Sequence, residues 1–116
     1  MSLKDSLYHI VSCESGKAVV RLNPSSPVYA AHFPGYPITP GVILIEIATE
    51  LLSEEACVCG GALELEEAVN VKFVSPVIPG EETLLTYLFA PDGELRWKVN
   101  VLCSETLCAK MTLQYR

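Results

Sequence analysis

Hydrophobic and polar positions alternate along most of this chain and run almost unbroken through one stretch near its middle. Leu7, Ile10 and Val11 precede the turn-forming Glu14-Ser15-Gly16, and Val19-Val20 follow it, which predicts two short strands joined as a hairpin. Farther on, Val69, Val71 and Phe73 fall on one face of an extended segment with Asn70 and Lys72 on the other. Pro76 and Pro79-Gly80 close that strand. Thr83 to Phe89 reads as a further strand, after which Pro91-Asp92-Gly93 turns the chain into Leu95, Trp97, Val99, Val101 and Cys103 at period two. The last strand puts Leu107, Ala109, Met111, Leu113 and Tyr115 on one face. Between hairpin and strands, Val42 to Glu55 holds neither glycine nor proline, and its length predicts a helix despite its β-branched residues, with Pro40 at the entry. The first two turns of this helix are apolar on almost every side, the pattern of a buried element.

Asn23 to Gly41 carries five prolines and two glycines, so it is expected to be a stiff loop without regular structure. The order hairpin, loop, helix, strands predicts an α+β fold in which a twisted antiparallel sheet wraps one long central helix. No repeat or linker interrupts it, so residues 1–116 are read as one domain.

Composition narrows the classes of function. Half of the 116 residues are apolar and 19% are charged, which argues against disorder. Eight Lys+Arg against 14 Asp+Glu give a net charge of −6, a balance unsuited to a nucleic-acid surface. The longest mostly apolar stretch, Val42 to Leu52, is too short to span a bilayer, and MSLKDSLYHI is too polar for a signal peptide, so a cytoplasmic protein without a membrane anchor is expected. Cys13, Cys57, Cys59, Cys103 and Cys108 are odd in number and lack paired metal-ligand spacing, so neither a disulfide framework nor a metal site is expected. They are read as small apolar residues.

The segment with chemistry is His32-Phe33-Pro34-Gly35-Tyr36-Pro37-Ile38-Thr39-Pro40-Gly41-Val42-Ile43-Leu44-Ile45-Glu46. It joins a proline-stiffened histidine to a carboxylate flanked by Ile45 and Ile47. A carboxyl buried there would stay protonated and could donate a proton. Equally, a rotated helix would set Glu46, Glu50 and Glu54 on one solvated stripe. Spacing does not choose between the two.

The string HFPGYPITPGVILIE resembles the motif HFPG-x-P-x-x-PGV-x-x-x-E of the β-hydroxyacyl-thioester dehydratases of the hot-dog fold, the FabZ-type family. VKFVSPVIPGE, from Val71 to Glu81, resembles the family's strand and turn after the central helix. The resemblance implies elimination of water from a (3R)-hydroxyacyl thioester, on acyl carrier protein or coenzyme A, to the trans-2-enoyl product, with no cofactor. It implies His32 as the base, Glu46 as the acid, and the Gly41 N–H as hydrogen-bond donor to the thioester oxygen. Phe33, Pro40, Val42, Glu50 and Phe73 would contact substrate. It further implies a homodimer with sites at the interface, and a trimer of dimers as a further assembly. Two positions depart from the family: Glu50 stands where glutamine is usual, and Val74-Ser75 where two basic residues are common. Two other readings are a hot-dog thioesterase and a dehydratase-like subunit that binds acyl chains or completes a heterodimer.

Overall fold

The computed structural model describes residues 4–14, 16–27, 39, 41–53, 64–78 and 83–116. Six strands form one antiparallel sheet: β1 (Tyr8–Glu14), β2 (Lys17–Leu22), β3 (Leu65–Phe73), β4 (Leu84–Pro91), β5 (Arg96–Cys103) and β6 (Thr106–Tyr115), in the order β1-β2-β4-β5-β6-β3. Among the described residues one long helix, α1 (Gly41–Ser53), lies against it. This is the expected α+β arrangement, a hairpin, a helix and four further strands.

The β1–β2 turn depends on Gly16, whose φ of +81° suits a residue without Cβ and whose carbonyl accepts from the Phe89 N–H at 2.9 Å. At the β5–β6 turn Ser104 and Glu105 both have positive φ, as a two-residue hairpin that follows strand twist requires. Leu95, expected within a strand, sits instead in the β4–β5 turn with φ +52°.

The inner face of the sheet is the core. Leu85, Tyr87, Trp97, Val99, Val101, Leu113 and Tyr115 alternate inward and meet Leu44, Ile47, Ala48, Leu51 and Leu52 of α1. Each fully buried aliphatic side chain contributes about 1.5–3 kcal/mol. Three buried tyrosines fix the helix within this core. The Tyr87 hydroxyl donates to the Leu44 carbonyl at 3.0 Å, Tyr8 donates to Glu50 Oε1 at 2.9 Å, and the Tyr115 hydroxyl shares a 3.0 Å hydrogen bond with Thr49 Oγ1. A buried phenol needs such a partner, so these three bonds set both the rotation and the axial position of α1.

Strand β3 corrects the simple alternation. Its pairing with β6 shifts between Leu65 and Glu67 and again between Val69 and Lys72, where Asn70 has φ +51°. The two bulges leave Ala68 opposite core-facing Leu113 and put Val69 opposite Thr112 on the outer face, so Val69 does not share a face with Phe73. The physical reason is Glu67: strict alternation from Leu65 would direct its carboxylate into the core.

The cysteines also differ in part from expectation. Cys13 is disulfide-bonded, its partner lying outside the described residues, whereas Cys103 and Cys108 are free. Burial, with the neighbouring Cys103 adding, pushes the Cys108 thiol above its ordinary range, which disfavours the nucleophilic thiolate.

Candidate active site

The start of α1 is the chemically distinctive place. The Thr39 N–H donates to the Val77 carbonyl at 2.7 Å, with both residues buried, and so ties the helix entry to the segment after β3. The first turn holds no carboxylate. Its backbone N–H groups lack intrahelical acceptors and carry the partial positive charge of the helix dipole, a setting that favours an oxygen acquiring negative charge.

Gly41 is required there by contact. A Cβ built on it would collide with the Phe73 ring at Cζ, so the phenyl ring rests directly on the helix start. Phe73 is nevertheless 54% exposed, a lid of one aromatic ring rather than a core residue. The strand end that carries it is held by the Cys108 carbonyl, which accepts from the Val74 N–H at 2.7 Å and the Ser75 N–H at 3.1 Å.

Val42 and Glu46, one helical turn apart, point away from the sheet and are both exposed, Val42 at 67%. Glu46 stands about 7.5 Å along the axis from Gly41. A helix apolar on nearly every side is therefore covered on one side alone in the single chain: Ile43 and Ile45 are half-buried and the Val42–Glu46 face is open. The buried setting considered for Glu46 is absent in the single chain.

Nor do the acidic residues form one solvated stripe. Glu50 is half-buried, and its Oε1 accepts from both the Tyr8 hydroxyl and the Lys4 backbone N–H at 3.1 Å. This carboxylate binds the N-terminal segment to the helix instead of standing beside Glu46. Nothing in the local sequence signals that contact, since Tyr8 and Glu50 are 42 residues apart. The structure thus brings Gly41 and Phe73 into contact at the start of α1, sets Val42 and Glu46 on its open face, and places Glu50 on its flank. His32, Phe33 and Pro40 lie outside the described residues. Among the described residues no group of three or more His, Cys, Asp or Glu is placed to hold a metal ion, and no helix is long and apolar enough to cross a membrane.

A single antiparallel sheet curled on one central helix, with a lidded helix N-terminus, defines a hot-dog fold domain. Solved structures agree on the fold. The dehydratase heterocomplex ApeI:P from Xenorhabdus doucetiae superposes with a TM-score of 0.65 at 19% identity, covering 92% of this chain and 93% of that one. Zebrafish thioesterase superfamily member 2 gives 0.62 at 17%, covering 95% and 81%. Residues 10–112 match the ApeI-like family, described as ApeI dehydratase, and the chain belongs to that family. Among curated relatives, the 3-hydroxyacyl-[acyl-carrier-protein] dehydratase FabZ of Pasteurella multocida is 34% identical over 118 residues, 87% of this chain and 78% of the relative. The FabZ of a Wolbachia from Drosophila simulans is 33% identical over 85 residues, 66% of this chain, and there the match spans 58% of the relative's length.

Proposed function

We propose that this protein converts (3R)-hydroxyacyl thioesters to trans-2-enoyl thioesters, with the acyl group carried on acyl carrier protein or coenzyme A. The observation that carries the reading is the start of α1: acid-free, tied down through Thr39, covered by Phe73, and followed on its open face by Glu46. Family membership supplies the reaction class.

The thioester oxygen accepts from the Gly41 N–H, where the helix dipole stabilises the enolate charge. His32 removes the α-proton as the general base. The electron pair moves to form the α,β double bond as the bond from the β-carbon to the hydroxyl breaks. Glu46 protonates the departing hydroxyl, which leaves as water. The proton held by His32 then returns to solvent or to the carboxylate, and the site is reset.

The open Val42–Glu46 face, flanked by the half-buried Ile43 and Ile45, supports a dimer, because apolar surface on this side of the helix is left for a partner to cover. In this reading His32 of one protomer faces Glu46 of its partner, and the apolar flank of α1 with Phe73 lines the acyl channel. The test incubates the protein with 3-hydroxyacyl and enoyl thioesters of several chain lengths, on carrier and on coenzyme A, and follows the conjugated enoyl thioester absorbance. Interconversion is expected. Free-thiol release without interconversion would replace this reading with a thioesterase.

A further inference from the structure

The net charge of −6 conceals a segregation that the sheet makes visible. Strand register places Lys17, Arg21, Lys72, Arg96, Lys98 and Lys110 on the outer face, opposite α1, against only Glu14 and Glu67 on the same rows. Six of the eight Lys+Arg therefore share one face, with a balance of +4 over the paired strand positions. The cations on this face form no ion pair with a described residue; the described ion pairs are His9–Asp5 and Arg116–Glu64.

One cross-strand row runs Lys17, Leu88, Asn100, Lys110, Lys72. Lys110 and Lys72 are directly opposite, a like-charge pairing that destabilises a sheet and that stability alone gives no reason to keep. Lys98 stands one row over, and Lys98, Lys110 and Asn100 border a depression of about 460 Å³ with Leu88, Ala90 and Thr112 in its wall. From Lys17 to Lys72 the row crosses four strand spacings, about 19 Å. That breadth exceeds a single phosphate and suits a protein surface, and cations interleaved with aliphatic and amide side chains fit an acidic helix.

We infer that the outer face of the sheet is the docking surface for the acidic acyl carrier protein, a step that rests on the thioester reading above. The row ends at Lys72, whose neighbour Phe73 covers Gly41, so a docked carrier stands beside the strand end that lids the site. The carrier's acidity meets this row of cations, although the protein as a whole is acidic.

The experiment compares the wild type with the double variant Lys98→Glu/Lys110→Glu, and with Lys98→Gln/Lys110→Gln as the milder change. All are exposed sites, and Lys110→Glu turns the like-charge pair with Lys72 into an opposite one, so folding is expected to be retained and is checked by melting. Binding of a purified holo acyl carrier protein is measured by calorimetry, and kcat/KM for a 3-hydroxyacyl group on that carrier and on coenzyme A. Charge reversal is expected to weaken carrier binding about tenfold or more, less so for glutamine, and to lower kcat/KM for the carrier substrate alone. Unchanged carrier binding, equal loss on both substrates, or a change in oligomeric mass, which would make this face a contact between copies, overturns the inference. If neither thioester is turned over by the wild type, the dehydratase reading fails, and the binding comparison still decides the docking surface.

Discussion

The two sides of α1 are built to opposite rules. On the side facing the sheet, Ile47, Leu51 and Leu52 are sealed from solvent, and three tyrosines from β1, β4 and β6 hydrogen-bond the helix at Leu44, Thr49 and Glu50. On the far side, Val42 and Glu46 stand open, and at the helix start Gly41 is covered by a half-exposed ring. The difference teaches where rigidity is invested: the helix is clamped from behind so that the groups in front need no local support. A carboxylate and a row of N–H groups can hold position while standing at a surface, provided the backbone that bears them cannot rotate.

That contrast can be broken most sharply from the open side. Glu46→Gln, and His32→Ala with it as a separate variant, is expected to lower turnover about 10²- to 10⁴-fold while leaving the melting temperature of the Glu46 variant unchanged. A large stability loss in Glu46→Gln would mean that this carboxylate supports the fold or the contact between protomers rather than the chemistry alone. From the clamped side, Leu51→Ala should cost about 2–5 kcal/mol in denaturant unfolding, with turnover per folded molecule retained. Gly41→Ala displaces the Phe73 ring and is expected to reduce turnover on the order of 10²-fold with little change in stability, because the ring can swing outward. Equal turnover in Gly41→Ala would show that the ring's seat on the helix has no part in catalysis. The smallest effect is Tyr87→Phe, about 1 kcal/mol, since the Leu44 carbonyl keeps its helical partner.

Most of the fold was legible in the chain because period-two alternation and a breaker-free apolar run are local signals. β4 falls within the strand read from Thr83 to Phe89 and its continuation, β5 and β6 alternate as read from Val99 and Met111, and α1 begins beside Pro40. Apart from Leu95, which the β4–β5 turn takes, the main failures are non-local. Val69 reads as a core residue until the bulges at Glu66 and Asn70 turn it outward, and those bulges exist to serve Glu67 across from Gln114. Glu50 reads as a neighbour of Glu46 by helical spacing, yet its carboxylate turns to Tyr8, a partner fixed only when β1 packs on the helix. At the candidate site the motif named Gly41 but not why it is glycine; the answer, Phe73, lies 32 positions on and meets it only through the β3–β6 pairing. The cationic outer face was invisible in a net charge, which sums over both sides of a sheet.

The bulges in β3 have a consequence for self-association. β3 is an edge strand, and its nine residues pair along the seven from Ala109 to Tyr115, so its free edge is irregular in spacing. A regular exposed edge recruits any passing strand, including those of misfolded chains, whereas an edge broken twice offers no continuous ladder. A chain that joins this edge must match its irregularity, which favours another copy or a close relative over an arbitrary strand. The same kinks that keep Glu67 out of the core thereby make the edge choosy, admitting kin and discouraging aggregation.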